Sequence, residues 1–173
     1  MIDLYAWWTT NSFKVSIALE GLGLAYRVTL VNIHAGQQQK PAFLARSPNG
    51  KVPVIVDPDG PGGQPLTLVE SGAILLYLAR KGRGLIPADG VGEALTHQWL
   101  MFQLSAFGPI QGQAQYVGHF HPTQAPAAAQ RFQAAAKRLH DVLEKRLSQV
   151  PYVRWTGGHH RRSCVVVLGP DGG

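Results

Sequence analysis

Short β-rich runs alternate with helical stretches over the first 81 residues of the chain, and this order constrains the fold more than any other feature of the sequence. Residues 2–7 form an apolar and aromatic run typical of a buried strand. A polar turn follows, and an apolar helical stretch over residues 13–22 ends near Gly23. Residues 26–31 alternate in polarity and are rich in β-forming side chains, which predicts a second strand.

The next fifty residues extend the same pattern. Pro41 opens a short helix through residue 46, and residues 54–56 predict a third strand. The segment 57–65 is so rich in Asp, Gly and Pro that it predicts a turn, and Leu66–Val69 would then pair back as a hairpin strand. Ser71 is predicted to cap a helix through Lys81. The resulting order, β-α-β-α-β-β-α, predicts an α/β thioredoxin-like domain over residues 1–81.

The sequence changes character after this domain. Residues 82–92 are rich in glycine and predict a linker. Residues 93–118 and 126–148 then carry long helical patterns with no β-rich runs. The chain is therefore predicted to continue as an all-α domain over residues 93–152.

Composition restricts the classes of function. Cys164 is the only cysteine, so an intramolecular disulfide is excluded and any thiol chemistry in the body of the protein must use a ligand's sulfur. No apolar run is long enough to span a membrane and the start lacks a signal peptide's pattern, so we expect a cytoplasmic protein without a membrane partner. The net charge of +6 is not concentrated in one block, which favours attraction of small anions over nucleic-acid binding.

Several motifs occur together at a characteristic separation. They are MIDLY at residues 1–5, TTNSFK at 9–14, FLARSPNGKVPVIV at 43–56, ESGAILLYL at 70–78, QW at 98–99 and GPIQGQ at 108–113. With these motifs, residues 1–152 resemble the glutathione transferases, and most closely the bacterial nu class, whose members reduce disulfides with glutathione. The resemblance implies a thioredoxin-like N-terminal domain, an all-α C-terminal domain, a homodimer, and glutathione as co-substrate without a metal.

The resemblance implies a glutathione-binding role for four residues of the first domain. The Val52–Pro53 bond would be cis, leaving the Val52 backbone free to pair with the cysteinyl part of glutathione. An ordinary trans proline at the start of a strand is the alternative. Glu70 would meet the γ-glutamyl ammonium, while Ser71 and the helix N-terminus take the carboxylate. A plain helix cap is the alternative here.

The catalytic residues implied by the resemblance are Thr9 and Asn11, between the first strand and the first helix. There they would hydrogen-bond the glutathione sulfur and lower its pKa, without any protein nucleophile. Tyr5 and Ser12 are alternatives, because other classes of the family use a tyrosine or serine hydroxyl. Tyr5 lies within an apolar strand and is predicted to belong to the core. Ser12 fits a helix cap equally well.

Three further residues match ligand-binding positions of the family. Gln38 would reach the glycyl end of glutathione, and Lys51 and Arg131 would lie near its carboxylates, although a solvent-exposed position is an alternative for each. His119 and His121 could suggest a metal pair, but no third ligand is nearby in the sequence. We therefore predict no metal site.

The chain departs from the family after residue 152. The family continues with a glycine turn and a Ser/Thr-Ile-Ala-Asp box that caps the next helix. Residues 153–173 contain neither, although their codons read one nucleotide later could encode Ala-Gly and Thr-Ile-Ala-Asp-Leu-Ala-Trp. We hypothesise that this non-family tail is a frameshift product that leaves the helical domain truncated. The alternative is an evolved strand.

Together these features predict a glutathione-dependent transferase or disulfide-bond reductase. It would activate the glutathione thiol for attack on a small electrophile or a disulfide. The alternative is a non-catalytic glutathione-binding protein or an inactive, truncated remnant of such an enzyme.

Overall fold

The computed structural model describes residues 1–120, 123 and 125–150. The predictions made for residues 151–173, including the frameshift hypothesis, lie outside these residues. The described chain separates into two compact units, residues 1–86 and residues 87–150.

The first unit contains the predicted order of strands and helices. Its four-stranded sheet has the order β2-β1-β3-β4, with β1 and β2 parallel and the other neighbours antiparallel. The strands are β1 (Ile2–Ala6), β2 (Tyr26–Leu30), β3 (Val54–Asp57) and β4 (Leu66–Val69). The helices are α1 (Thr10–Leu22), α2 (Pro41–Leu44) and α3 (Ser71–Lys81). This arrangement confirms the thioredoxin-like prediction.

The side chains of the central strands alternate between the two faces of the sheet, and this divides the core into two layers. Successive side chains of a strand point to opposite faces of the sheet. One face buries alternate residues of β1 together with side chains of the mutually packed helices α1 and α3, including Leu4, Leu19 and Ile74. The other face buries Val54 of β3 with Phe43 of α2. The sheet is therefore covered by helices on both faces.

Helix boundaries differ from the predictions where a cap changes them. Helix α1 begins at Thr10, three residues early, because the Thr9 side chain accepts a hydrogen bond from the Ser12 N–H and caps the first turn. The prediction that Ser71 caps α3 is wrong. Glu70 is the N-cap residue, with φ of 66° and ψ of 112°, and Ser71 is the first helical residue.

The regular elements in the described part of the second unit are all helical. Helix α4 (Gly90–Phe102) continues through a π-helical turn (Gln103–Phe107) into α5 (Gly108–Gln115), and a second π-helical turn (Tyr116–Phe120) follows; α6 comprises Pro126–Leu147. Residues 90–92, which were predicted to lie in the linker, form the first turn of α4 because the Asp89 side chain accepts a hydrogen bond of 2.7 Å from the Gly92 N–H. None of the described helices combines the length and apolar character needed to cross a membrane.

Candidate functional site

Two hydroxyl groups hold the turn between β1 and α1. Thr9 has extended backbone geometry, and its Oγ1 accepts a hydrogen bond of 3.2 Å from the Ser12 N–H. The Ser12 Oγ lies 3.0 Å from Thr9 Oγ1 and accepts a hydrogen bond of 3.3 Å from the Trp7 N–H. Ser12 is 3% exposed, so its hydroxyl forms these hydrogen bonds in the interior of the turn. Asn11, by contrast, is exposed on the first turn of the helix.

The Val52–Pro53 bond is cis, as predicted. The preceding turn is held by Ser47, which is 1% exposed. Its hydroxyl donates a hydrogen bond of 2.9 Å to the Lys51 carbonyl oxygen and accepts one of 3.1 Å from the Lys51 N–H. Gly50 has φ of 61°, and its N–H donates to the Ser47 carbonyl. Ser47 therefore determines the path of the backbone immediately before Val52.

Glu70 has a backbone conformation that L-residues rarely adopt. Its φ of 66° lies in the left-handed range, which costs about 1–3 kcal/mol for a residue other than glycine. Its side chain is exposed and does not cap α3. The N–H groups of the first helical turn, beginning at the buried Ser71, are thus left without a side-chain cap from Glu70. Such N–H groups attract anions.

These three turns meet at one cavity in the first unit. Its volume is about 310 Å³, at the lower end of the range for small-molecule sites. The cavity brings together six of the predicted site residues, Asn11, Lys51, Val52, Pro53, Glu70 and Ser71. It also contains Ser47, Asn49 and Val69, which sequence reasoning missed. The motif SPNGK was recognised, but only its lysine was assigned to the site.

The other three predicted residues do not line this cavity. Thr9 is half-buried at the N-terminus of α1. Gln38 lies in a 3₁₀ turn (Gln37–Gln39), and its buried Oε1 has no hydrogen-bond partner among the described residues. A Cβ placed on Gly50 would come within 3.2 Å of the Gln38 carbonyl oxygen, so Gln38 adjoins the turn that leads to Lys51. Arg131 is exposed on α6 in the second unit.

Tyr5 belongs to the core, as predicted. It packs on the face of the sheet that α2 covers. The Phe43 ring meets it edge-on at a centroid distance of 6.4 Å, and the Arg46 guanidinium lies 5.1 Å from its ring centroid. The Tyr5 side chain is not part of the cavity lining.

The described residues contain no group of three or more His, Cys, Asp or Glu side chains that could hold a metal ion. His119 is exposed in the second π-helical turn, and His121 lies outside the described residues. Among the residues that the structure describes, Glu70 is the single carboxylate that lines the cavity.

A buried carboxylate anchors the opposite end of α3. Asp57, at the end of β3, is 1% exposed and accepts a hydrogen bond of 2.5 Å from the Tyr77 hydroxyl. Lys81 Nζ lies 3.0 Å from Asp57 Oδ2. Burial alone would raise the pKa of Asp57, but hydrogen bonds from Tyr77, Lys81 and the Asp59 N–H outweigh burial and bring it below its ordinary value. Burial and the bond to Asp57 raise the pKa of Tyr77, which stays protonated at neutral pH.

Substituting Ser47 with alanine tests whether its hydroxyl organises the turn before Val52. We expect Ser47→Ala to lower the free energy of unfolding by about 1–2 kcal/mol, because the backbone N–H and C=O of Lys51 lose a buried partner. Urea denaturation followed by circular dichroism measures this change. Ser16→Ala removes a hydroxyl that bonds to the Phe13 carbonyl on an exposed helix face and serves as the matched control. Equal effects of the two substitutions would contradict the assignment.

Comparison with known proteins identifies relatives over both units. The family model "Glutathione S-transferase, N-terminal domain" matches residues 1–80. The disulfide-bond oxidoreductase YfcG of Escherichia coli (strain K12) is 44% identical over 161 residues, which cover 92% of this chain and 74% of YfcG. Protein URE2 of Eremothecium gossypii is 36% identical over 145 residues, which cover 80% of this chain but 40% of URE2.

A solved structure shares the fold over most of the chain. The chain is similar to a glutathione transferase from Pseudomonas putida whose crystal structure has one glutathione disulfide bound per subunit. The TM-score is 0.85 at 42% sequence identity, and the match covers 88% of this chain and 67% of the other.

Proposed function

This chain belongs to the glutathione transferase family, and we propose that it binds glutathione in the cavity of its first unit and activates the glutathione thiol for attack on a disulfide. One observation carries this proposal. The first turn of α1, the cis Val52–Pro53 bond and the N-terminus of α3 all contribute residues to the same cavity. Each of the three supplies a different kind of polar group.

The binding part of the proposal follows from these groups. The Val52 backbone would pair with the cysteinyl part of glutathione in the manner of an added strand. The γ-glutamyl carboxylate would bind at the N-terminus of α3 near Ser71, where uncapped N–H groups and the helix dipole favour negative charge. Glu70 would bind the ammonium of the same moiety. The strained backbone of Glu70 supports this role, because such strain is concentrated at functional sites.

Lysine and glutamine side chains would take the remaining carboxylate of the ligand, at its glycyl end. Lys51 lines the cavity, and Gln38 adjoins the turn that leads to it. We propose that these two residues bind the glycyl end of glutathione and that Arg131 adds positive charge. We also propose a homodimer, in keeping with the family. An apolar groove of about 610 Å³, which includes Leu68 and Leu76, would supply the first unit's share of that interface.

The chemical step would depend on a thiolate at the N-terminus of α1. Partial positive charge at a helix N-terminus lowers the pKa of a nearby thiol. The exposed carboxamide of Asn11 and the hydroxyl of Thr9 would hydrogen-bond the sulfur and hold it in place. The protein would thus supply binding, orientation and electrostatic stabilisation, while the ligand supplies the nucleophile.

The electrons balance without any cysteine of the protein. The glutathione thiolate attacks one sulfur of a disulfide, forms a mixed disulfide and releases the other sulfur as a thiolate, which takes up a proton. A second glutathione thiolate then attacks the glutathione sulfur of the mixed disulfide. The products are glutathione disulfide and the second thiol of the substrate. YfcG, named a disulfide-bond oxidoreductase, and the P. putida transferase with bound glutathione disulfide support this reaction class.

Calorimetric titration with reduced and with oxidised glutathione tests the proposal. We expect saturable binding of both ligands by the full chain. Asn11→Ala should weaken binding of reduced glutathione about tenfold through the loss of a hydrogen bond to a charged sulfur. Thr10→Ala changes the neighbouring exposed residue of the same helical turn, outside the cavity lining, and should have little effect.

The two possible failures have different meanings. A folded sample that binds neither form of glutathione would contradict the site assignment. Equal losses in Asn11→Ala and Thr10→Ala would show that Asn11 acts only through the stability of α1. Reduction of a small disulfide can be followed by the release of its free thiol. Binding of glutathione without such a release would instead favour a glutathione-binding protein without turnover.

A further inference from the structure

Asn49 lines the cavity of the first unit, but the proposed function gives its side chain no role. We infer that Asn49 determines specificity: together with Lys51 it binds the glycyl carboxylate of glutathione, so that the site selects γ-glutamyl peptides with an ionised C-terminal carboxyl group. This inference rests on the proposed function and deepens it. The juxtaposition that carries it is a pair of hydrogen-bond donors, two residues apart in the chain, that line the same cavity.

The turn that carries Asn49 has an anchored backbone. The Gly50 N–H donates a hydrogen bond of 2.8 Å to the Ser47 carbonyl oxygen, which closes a four-residue turn over residues 47–50. The buried Ser47 hydroxyl accepts a hydrogen bond from the Lys51 N–H and donates one to the Lys51 carbonyl oxygen. The backbone on both sides of Asn49 is therefore held by contacts that do not involve its side chain.

The turn itself does not require an asparagine at this position. Asparagine is favoured in turns where the backbone has a positive φ or where the side chain bonds to a neighbouring backbone group. Asn49 is not among the described residues with a positive φ, and no hydrogen bond joins its carboxamide to the described part of the chain. Its side chain is exposed, so the carboxamide is available to a ligand in the cavity.

The donors on this turn suit a carboxylate. Lys51 offers three N–H donors and a positive charge, and the Asn49 carboxamide offers two more N–H donors. A carboxylate accepts hydrogen bonds at both oxygens, and hydrogen bonds to an ionised group are stronger than those between neutral groups. Lys51 forms no ion pair with any residue that the structure describes. An esterified glycyl group carries no charge and would be bound more weakly by both side chains.

The remaining parts of the cavity lining assign this turn to the glycyl end. The proposed function places the sulfur at the N-terminus of α1, the γ-glutamyl moiety at Glu70 and Ser71, and the cysteinyl moiety at the Val52 backbone. The glycyl carboxylate is then the one charged group of glutathione without a binding residue on these segments. Asn49 and Lys51 lie on the turn that the other moieties do not use.

Two ligands that differ only at the glycyl carboxyl group test the inference. Calorimetry with the full chain would compare glutathione with its glycyl ethyl ester, which keeps the peptide but removes the charge. We expect the wild type to prefer glutathione about tenfold. Asn49→Ala should weaken binding of glutathione about fivefold and of the ester less than about twofold. Asn49→Asp places a carboxylate beside that of the ligand and should reduce the preference to about one.

Gln64→Glu is the matched control for Asn49→Asp. It makes the same change of charge at an exposed carboxamide outside the cavity lining, on the turn that follows β3, and should keep the wild-type preference. Equal losses for both ligands in Asn49→Ala would show that Asn49 acts only through the turn and would overturn the inference. An unchanged preference in Asn49→Asp would overturn it as well. No binding of either ligand by the wild-type chain would overturn the proposed function itself.

Discussion

Substituting Asp57 with alanine is expected to lower the free energy of unfolding by about 3 kcal/mol. The carboxylate is buried and accepts hydrogen bonds from Tyr77, Lys81 and the Asp59 N–H. Its removal would leave the Tyr77 hydroxyl without its acceptor and would leave the Lys81 ammonium with only the carbonyl and carboxylate oxygens of Asp59. The expected loss lies at the lower end of the range for a broken buried pair because Lys81, 26% exposed in its side chain, can turn toward water.

Graded substitutions identify the source of this effect. Urea denaturation followed by circular dichroism would compare Asp57→Ala with Tyr77→Phe, which removes one hydrogen bond and should cost about 1 kcal/mol. Asp59→Ala is the matched control. That carboxylate lies 3.5 Å from Lys81 Nζ but is 85% exposed, and exposed ion pairs contribute little. A loss in Asp57→Ala no larger than in Asp59→Ala would contradict a buried anchor.

The same carboxylate makes stability depend on pH in a defined direction. The pKa of Asp57 is lower in the folded protein than its ordinary value, so the folded state favours the ionised form. Its stabilising contribution is complete above an unfolded-state pKa of about 4 and is lost as the pH falls through the folded-state pKa. The difference in stability between wild type and Asp57→Asn should therefore shrink in acid. A difference that stays constant from neutral pH into acid would contradict this linkage.

Substituting Glu70 with glycine is expected to change stability and binding in opposite directions. Glycine adopts positive φ freely, so Glu70→Gly should raise the free energy of unfolding by about 1 kcal/mol. The same change removes the carboxylate proposed to bind the γ-glutamyl ammonium. Loss of this charged interaction should weaken glutathione binding by about 2 kcal/mol, or roughly 30-fold.

Arg83→Gly is the control for this experiment. Arg83 also has a positive φ, 53°, and is exposed outside the cavity lining. It should therefore gain stability by the same mechanism and keep wild-type affinity for glutathione, as measured by denaturation and calorimetry. A Glu70→Gly variant that binds glutathione normally would exclude Glu70 from recognition. A Glu70→Gly variant that is less stable than wild type would show that the Glu70 side chain contributes more stability than its backbone strain costs.

Local patterns were sufficient to predict the architecture of the first unit. Alternating polarity marks the strands, and the glycine-rich segment before Leu66 marks the hairpin, because both depend on residues close together in the chain. The cis bond at Pro53 was predicted from its surrounding motif. The same motifs selected six of the nine residues that line the cavity, although their roles in binding glutathione remain predictions.

Other features depend on contacts that the local sequence does not reveal. Asp57 lies in a stretch read as a turn, and only the packing of α3 against the hairpin brings Tyr77 and Lys81 to it. Ser47 and Asn49 were recognised within a motif but not as parts of a cavity. The boundary of α3 was misplaced because Ser71 suits a cap by residue type, whereas the positive φ of Glu70 arises from the path of the chain between β4 and α3.

The sequence by itself therefore determined the order of strands and helices, the family and most of the residues around the cavity. Periodicity and short motifs are local properties of the sequence, so they do not depend on which distant residues the folded chain brings close. The tertiary structure alone decided which polar groups are buried and what they contact. That information matters for Ser12, whose type is equally suited to a ligand contact and to a helix cap. In the structure Thr9, and not Ser12, is the N-cap residue of α1, and the buried Ser12 hydroxyl forms its hydrogen bonds within the protein, with Thr9 and the Trp7 N–H.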